Sequence, residues 1–170
     1  MIAAGENIIL VGFMGSGKTT VGRQLAKKSG RKFLDLDQFI EEQEGKSITE
    51  IFESIGEKGF RELETQAIQK LESNANLVIS TGGGLPCFND NMSRLNDLGF
   101  TIFLDVPIKM IASRLAEATA KRPLLADKSA SEILDFISLK MQERRPFYQQ
   151  AKMTYANINS PAELFELLSF

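Results

Sequence analysis

The sequence GFMGSGKT at residues 12–19 decides how this chain is interpreted. It matches the pattern G-x-x-x-x-G-K-[ST] at every fixed position, and it lies between the apolar run Ile8–Val11 and the helically spaced Val21, Leu25 and Ala26. A strand before the loop and a helix after it are the context in which this motif binds phosphate. The glycines let backbone N–H groups turn inward, and the helix N-terminus adds a positive dipole end. The loop therefore predicts binding of a nucleoside triphosphate.

Separate positions of this loop have separate chemical roles. The Lys18 ammonium can reach the β- and γ-phosphates, and the Thr19 hydroxyl can ligate Mg²⁺. The alternative, a glycine-rich turn with a surface lysine, is disfavoured by the flanking strand and helix. The motif alone does not name the acceptor of a phosphoryl group. The predicted ATP contacts are Gly15, Ser16, Gly17, Lys18, Thr19 and Thr20.

The rest of the chain alternates between short apolar runs and segments with helical spacing. The first four runs are nearly continuous, which is typical of strands covered on both faces of a parallel sheet. Strands that alternate with helices predict an α/β fold with βαβ units and a doubly wound sheet. Residues 37–60 and 116–130 fit this alternation poorly and are interpreted as flaps on one core. The predicted strands are Ile8–Val11, Phe33–Leu36, Leu77–Ser80, Thr101–Val106 and Met153–Ile158.

Composition excludes several functions. The chain has 170 residues, the size of one domain, with 20 basic and 22 acidic residues. This balance argues against nucleic acid or an anionic membrane as a partner, and no run is apolar enough to cross a bilayer. There is no histidine and one cysteine, which excludes histidine catalysis, an internal disulfide and cysteine-rich metal sites. Because we find no targeting signal, we expect a cytoplasmic protein.

Two carboxylates follow the second apolar run, in Asp35-Leu36-Asp37. We expect both to end the second strand, where residues two apart point to the same side at the carboxyl end, the edge at which open α/β sheets bind ligands. One carboxylate would then hold Mg²⁺ through water, and the other would accept a proton from, or orient, a substrate hydroxyl. The alternative is that these residues form the entry cap of a helix over Gln38–Gln43.

Arg61 and a run of three glycines are each open to two interpretations. By itself, Arg61 is most simply a solvated helix charge paired with Glu57, Glu64 or Thr65, because such surface pairs are common and weak. The glycines Gly82–Gly84 follow the third predicted strand. They either let a ligand approach the backbone closely or form a plain tight turn.

Two further sites carry arginine beside proline. Arg144 and Arg145 come at the end of the long predicted helix, before Pro146. A guanidinium fork suits a carboxylate, but positive charge at a helix C-terminus is also favourable in its own right. Arg122 lies in the polar segment 116–130, before Pro123. It is either a lid arginine that closes over the phosphates or a simple loop charge.

Taken in their order and spacing, these motifs resemble those of the shikimate kinase family. The resemblance covers nearly the whole chain, although no single motif after the phosphate loop is specific. It implies a three-layer P-loop NTPase core of the nucleoside-monophosphate-kinase type, with a five-stranded parallel sheet and helices on both faces. It also implies one domain over residues 1–170, with a substrate-binding region near 37–65 and a lid near 116–128. The motifs are residues 12–19, Asp35–Asp37, Gly59–Arg61, Gly82–Gly84, Arg122–Leu125 and Arg144–Tyr148.

The resemblance further implies an activity and residue roles. The reaction would transfer the γ-phosphoryl group of ATP to the 3-hydroxyl of shikimate, a step of chorismate and aromatic amino-acid biosynthesis, with one Mg²⁺ per monomeric enzyme. Lys18, Asp37 and Arg122 would be catalytic, with Lys18 and Arg122 on the phosphates. Thr19 would ligate Mg²⁺, with Asp35 behind it through water. Shikimate would be bound by Asp37, Arg61, Gly82, Gly83 and Arg144.

Two positions depart from the family pattern. Members often carry an arginine seven residues before the lid Arg-Pro, where it stacks on adenine. Here that position is Leu115, and the nearest arginine is Arg114. Asn159 and Ser160 stand where the family can show an arginine before the last proline. The adenine contact is therefore open between Arg114 and backbone groups.

Two other functions fit the phosphate loop. One is another small-molecule kinase, such as a gluconate kinase, whose acceptor lacks a rigid ring and fits the paired arginines and triple glycine less well. The other is a nucleotide-binding regulatory module that has lost catalysis. Such a loss predicts damage at Lys18, Thr19, Asp37 or the arginines, and the sequence has none there.

Overall fold

The computed structural model of the protein describes residues 2–3, 5–71, 75–117, 130–156 and 161–168. Five strands of this part form one parallel sheet in the order β2-β3-β1-β4-β5. They are β1 (Asn7–Val11), β2 (Lys32–Asp35), β3 (Leu77–Ser80), β4 (Gly99–Leu104) and β5 (Met153–Tyr155). The helices are α1 (Lys18–Ser29), α2 (Leu36–Glu44), α3 (Ile48–Leu71), α4 (Asn91–Leu98), α5 (Ile108–Glu117), α6 (Ala130–Tyr148) and α7 (Pro161–Leu167). The predicted α/β fold is confirmed.

The central strand β1 is buried along its whole length. Ile8 and Leu10 belong to a core cluster that includes residues of α1 and α7. Ile9 and Val11 belong to a second cluster, built from α2 to α6. Because both faces of the strand are covered, its sequence is continuously apolar and does not alternate. The sheet is therefore the middle of three layers, as expected.

The strand register brings the carboxyl ends of the first three strands together. Ser80, the last residue of β3, pairs with Leu10 of β1 and with Asp35, the last residue of β2. The loops that follow these strands therefore emerge at one edge of the sheet. In open α/β sheets the ligand crevice lies at this edge, beside the strand where the order of connections reverses. Here that strand is β1, which lies between β3 and β4.

Three predicted strand boundaries are wrong. The second strand ends at Asp35, and Leu36 begins α2, because the Asp35 carboxylate accepts hydrogen bonds from the backbone of that helix. The fourth strand runs over Gly99–Leu104, two residues earlier than its apolar run suggested. The last strand ends at Tyr155. Residues 157–158, at the end of that prediction, lie outside the described residues.

The segment between β2 and β3 is helical, as predicted. Ser47 and Glu50 have the spacing of a capping box and form one, with the Glu50 carboxylate accepting from Ser47 N at 2.7 Å and Ser47 Oγ accepting from Glu50 N at 3.3 Å. The helix α3 bends at Gly56, whose φ of 69° is incompatible with a straight helix. Its second half, which carries Arg61, is thereby aimed independently of the first half. The bend brings Arg61 toward the carboxyl edge of the sheet.

The position of Pro146 after two arginines suggested that the long helix ends there. This prediction is wrong. α6 continues through Pro146 and ends at Tyr148. Arg145 pairs with Asp105, the residue that follows β4. No helix in the described ranges combines the length and the apolar character that crossing a bilayer demands.

Candidate active site

The phosphate loop joins β1 to α1 and is held by its own backbone and by Lys18. Gly15 and Gly17 have φ values of 79° and 93°, which an L side chain rarely adopts, so glycine is required at both positions. Ser16 N donates to Phe13 O at 3.1 Å. The Lys18 ammonium donates to Gly12 O at 2.8 Å and to Phe13 O at 2.9 Å. The lysine is thus 7% exposed and fixed inside the curve of the loop.

The first residues of α1 meet the ends of β2 and β3. Thr19 Oγ1 donates to Asp35 Oδ2 at 3.0 Å and lies 3.4 Å from Ser80 Oγ. The other Asp35 oxygen accepts from Asp37 N at 3.2 Å and caps α2. Both interpretations of Asp35 are therefore compatible, because one carboxylate caps α2 and also contacts Thr19, the predicted metal ligand. Three oxygen-bearing side chains converge here, and such hard donors suit Mg²⁺.

Asp37 reaches the site from the first turn of α2, whereas the sequence predicted it on a strand beside Asp35. Its carboxylate lies against Gly82, so closely that a Cβ at that glycine would be 2.7 Å from Asp37 Oδ1. Burial raises the pKa of this carboxyl, and Asp35 raises it further, while Lys18 opposes the shift. A raised pKa moves the carboxyl toward the range in which it can accept a proton at neutral pH.

Each of the three glycines after β3 packs against a different part of the site. Gly82 meets Asp37 and Glu64. A Cβ at Gly83 would be 3.0 Å from Met14 N of the phosphate loop, and a Cβ at Gly84 would be 2.7 Å from Arg61 Nη2. Side chains at these positions would displace the acceptor carboxylate, the phosphate loop or the arginine. The tight-turn interpretation alone does not explain three such contacts.

The interpretation of Arg61 as a solvated and paired helix charge is correct only in part. The side chain is paired, but it is largely buried. Its guanidinium donates to Glu64 at 2.8 Å and to Glu57 at 3.1 Å, and it lies 4.3 Å from the centre of the Phe88 ring. The side chain is 12% exposed. Its Nε is buried and has no hydrogen-bond partner among the described residues. An orphaned guanidinium donor of this kind is suited to a ligand acceptor.

Sequence reasoning named Glu64 only as a possible partner of Arg61, yet its carboxyl is a buried part of the site. The side chain is 1% exposed and lies near Gly82 as well as Arg61. Burial raises the pKa of Glu64 to about 7, against the opposing effect of Arg61. Its place in the helical stripe with Phe60 and Ile68 was the available signal, since a carboxylate within an apolar stripe is buried.

Arg144 reaches the phosphate loop, with its guanidinium 5.4 Å from the centre of the Phe13 ring. Its charge acts to lower the pKa of both Glu64 and Cys87, as the charge of Arg61 also does. The two predicted arginines therefore affect the same pair of side chains electrostatically. Burial raises the pKa of the Cys87 thiol to about 11, in agreement with an inert cysteine.

The structure brings most predicted site residues into one cleft. Among the residues that line it, Met14, Ser80 and Thr81 were not predicted as site residues. The available signal was the place of Met14 within the phosphate loop and of Ser80 and Thr81 at the end of the third apolar run. Ser16 is buried behind the loop. Arg122 and most of the predicted lid, 116–128, lie outside the described residues. The predicted residues on the cleft are Gly15, Gly17, Lys18, Thr19, Thr20, Asp35, Asp37, Gly82 and Gly83.

Arg114 and Leu115, the two positions discussed for the adenine-stacking arginine of the family, lie in different surroundings. Leu115 is buried in the core, 1% exposed, where its side chain packs against Gly15. Arg114 is at the surface, and its guanidinium donates to Gly15 O of the phosphate loop at 3.1 Å. Residues 159 and 160 lie outside the described part.

The sheet order, the phosphate loop and the acidic groups beside it define a P-loop enzyme of the nucleoside-monophosphate-kinase type. A family model described as shikimate kinase matches residues 14–168. The chain therefore belongs to the shikimate kinase family. The activity expected from the sequence, ATP-dependent phosphorylation of a shikimate hydroxyl, is confirmed with it.

Individual relatives agree. A shikimate kinase of Phocaeicola vulgatus is 48% identical over 85% of this chain and 83% of its own length. The crystal structure of shikimate kinase from Bacteroides thetaiotaomicron has a TM-score of 0.91 at 41% identity and covers 97% of this chain and 99% of its own. The Acinetobacter baumannii shikimate kinase in complex with shikimate has a TM-score of 0.83 at 36% identity, covering 96% of this chain and 92% of its own.

Proposed function

We propose that the cleft carries out transfer of the γ-phosphoryl group of ATP to the 3-hydroxyl of shikimate. One observation carries the assignment of residue roles. The phosphate-binding Lys18 and the acceptor-side Asp37 line the same cleft, where the charge of Lys18 acts to lower the pKa of Asp37. A phosphoryl donor and a hydroxyl acceptor would thus be held face to face. Positioning and charge neutralisation are the main contributions that a protein makes to this reaction.

On the nucleotide side, the backbone N–H groups of residues 15–20 and the N-terminus of α1 would hold the β- and γ-phosphates. The Lys18 ammonium would exchange its carbonyl partners for phosphate oxygens and stabilise the charge of the transferring group. Thr19 would hold Mg²⁺, with Asp35 and Ser80 acting through water. The ion would neutralise charge on the phosphates. Arg114 would contact the nucleotide at the rim.

On the acceptor side, Asp37 would orient the 3-hydroxyl and receive its proton. Its raised pKa supports this role. Arg61 and Arg144 would hold the shikimate carboxylate, and the orphaned Nε of Arg61 gives that carboxylate a donor that no described residue takes. Gly82 and Gly83 would let the ring approach the backbone. Loss of any one of these contacts would weaken shikimate more than ATP.

The remaining assignments are coarser. We propose that Arg122 closes over the phosphates as part of a lid near residues 116–128, and that the whole chain acts as one monomeric domain in the cytoplasm. Sedimentation of the pure protein tests the monomer directly. An Arg122→Ala variant tests the lid arginine, because kcat should fall while shikimate affinity is retained.

The decisive assay is ADP release with ATP and Mg²⁺ in the presence of shikimate, gluconate or no acceptor. We expect release with shikimate only. Release with gluconate would overturn the carboxylate clamp, and the absence of acceptor-dependent release with nucleotide still bound would overturn catalysis.

A matched pair of variants tests the clamp itself. Arg144→Lys should raise the KM for shikimate about 10- to 100-fold, the effect of losing a charge-assisted hydrogen bond, with little change for ATP. Arg145→Lys, one residue further along the same helix, is the control because Arg145 pairs with Asp105. Equal losses in both KM values for Arg144→Lys would contradict the assignment.

A further inference from the structure

The last turn of α6 places a buried phenol beneath the glycine loop. The Tyr148 side chain is fully buried, with its ring 5.2 Å from the ring of Phe103 in β4. Its hydroxyl donates to Gly83 O at 2.6 Å. This bond joins two segments that are 65 residues apart in the chain. The bond therefore helps to fix the position of the glycine loop relative to α6.

The same phenol also faces Arg144. Residues 144 and 148 are four apart on one helix, so their side chains lie on the same face. Burial raises the pKa of the Tyr148 phenol, and the charge of the nearby Arg144 guanidinium opposes this shift. A phenol is protonated at neutral pH and burial reinforces this, so the hydroxyl remains available as a donor to Gly83. Tyr148 thus bonds to the Gly83 backbone and lies beside Arg144 on the helix.

The hydroxyl adds a link to α6 that the local bonds of the loop do not supply: Leu85 N donates to Gly82 O at 3.3 Å and Cys87 N to Gly84 O at 3.0 Å, whereas Gly83 O accepts from Tyr148. The three glycines of the loop have no side chains to anchor it, yet they touch Asp37, Met14 and Arg61. Since the peptide unit is planar, holding the Gly83 carbonyl also fixes the direction of the next N–H. A displaced Gly83 would disturb the acceptor side of the cleft at several points together.

We propose that Tyr148 is a positioning residue for shikimate, and that its hydroxyl keeps the Gly83 backbone and the Arg144 guanidinium in the arrangement that the substrate requires. The inference rests on the proposed function, which assigns both groups to shikimate. The proposal assigns the positioning effect to the hydroxyl of Tyr148 and not to its ring. A phenylalanine at this position would retain the packing of the ring against Phe103. The proposal also predicts a selective effect on the acceptor.

The test compares Tyr148→Phe with Tyr155→Phe, a second buried tyrosine that lies on β5 in the other core cluster. Tyr148→Phe should raise the KM for shikimate about tenfold, since the Gly83 carbonyl loses its partner, and should leave the KM for ATP within about twofold. Tyr155→Phe should change neither. The rise in melting temperature on adding shikimate should shrink in the first variant only.

Two results would overturn the proposal. One is an unchanged KM for shikimate in Tyr148→Phe, while the wild-type enzyme responds to shikimate normally. The other is an equal rise of both KM values, which indicates general loosening. A wild-type enzyme without any response to shikimate would instead refute the proposed function, and this inference with it.

A double-mutant cycle tests the link between Tyr148 and Arg144 separately. Because Tyr148 is proposed to act partly through Arg144, the losses of Tyr148→Phe and Arg144→Lys in kcat/KM for shikimate should be less than multiplicative. Fully multiplicative losses would refute the link between the two side chains.

Discussion

A methyl group at Gly84 should disable shikimate binding without unfolding the protein. Gly84 has φ −85° and ψ −25°, a conformation that alanine adopts freely, so Gly84→Ala introduces no backbone strain. The added Cβ would lie 2.7, 2.8 and 3.0 Å from Nη2, Nη1 and Cζ of Arg61. The steric conflict is therefore confined to one guanidinium.

The size of the effect follows from how tightly that guanidinium is held. To bring Nη2 from 2.7 Å to an ordinary contact of about 3.5 Å, the guanidinium has to move by about 0.8 Å. It is confined by Glu64 at 2.8 Å and by the Phe88 ring at 4.3 Å, so the same movement disrupts its pair with Glu64. A misplacement near 1 Å in an active site costs on the order of 100-fold. We expect kcat/KM for shikimate to fall about 10- to 100-fold.

The assay is steady-state ADP release with either substrate varied, together with thermal denaturation. The KM for ATP should stay within about twofold. The fold should be retained, because alanine restricts the unfolded chain by about 0.4–1 kcal/mol and this gain offsets part of the strain at the Arg61–Glu64 pair. In an Arg61→Ala background the methyl group meets no guanidinium, so Gly84→Ala should then have little further effect. An equal loss in both backgrounds would refute the reasoning.

Three further predictions concern charged groups of the cleft. Lys18→Ala should lower kcat about 100- to 1,000-fold, because stabilisation of the transferring group is lost; near-normal kcat in the ADP-release assay would exclude that role. Asp37→Asn should lower kcat and spare ATP affinity, and unchanged turnover would contradict its role on the acceptor hydroxyl. Glu64 has its pKa raised to about 7 in the folded state from 4.5, so its neutral form favours folding. That contribution is complete below about pH 4.5 and is lost as the pH rises through 7. Wild-type stability, measured relative to Glu64→Gln by thermal melts, should therefore decline from pH 5 to pH 8; parallel pH curves would refute this.

The sequence was sufficient to predict the sheet and the phosphate loop, because both depend on local patterns. The continuous apolar run before Gly12 predicts a buried parallel strand, and the capping box at Ser47 predicts the start of α3. The error at Asp35-Leu36-Asp37 arose because Leu36 extends an apolar run although Asp35 already caps a helix. The pattern of apolar residues alone does not show whether the strand continues through Leu36 or a helix cap at Asp35 ends it.

The acceptor side was less predictable, because its geometry is set by distant segments. Arg61 is buried only because the loop with Gly84 and Phe88 covers it, and that loop follows 20 residues or more later in the chain. Glu64 was visible as a carboxylate in an apolar stripe, but its raised pKa depends on the same cover. The resemblance to the family named the arginines and the glycines, but it did not explain why three glycines are needed. The contacts of Gly82, Gly83 and Gly84 provide that explanation.

The order of the strands also constrains how the chain folds. β1 and β2 come first in the sequence, yet they pair not with each other but with β3, and β1 pairs also with β4. A nascent chain that ends at Leu71 already contains the whole phosphate-loop sequence, but neither of its strands has its native partner. Closing such long connections before any ladder forms is slow. The nucleotide site, although encoded in the first 20 residues, is thus completed late, when β3 inserts between its two neighbours.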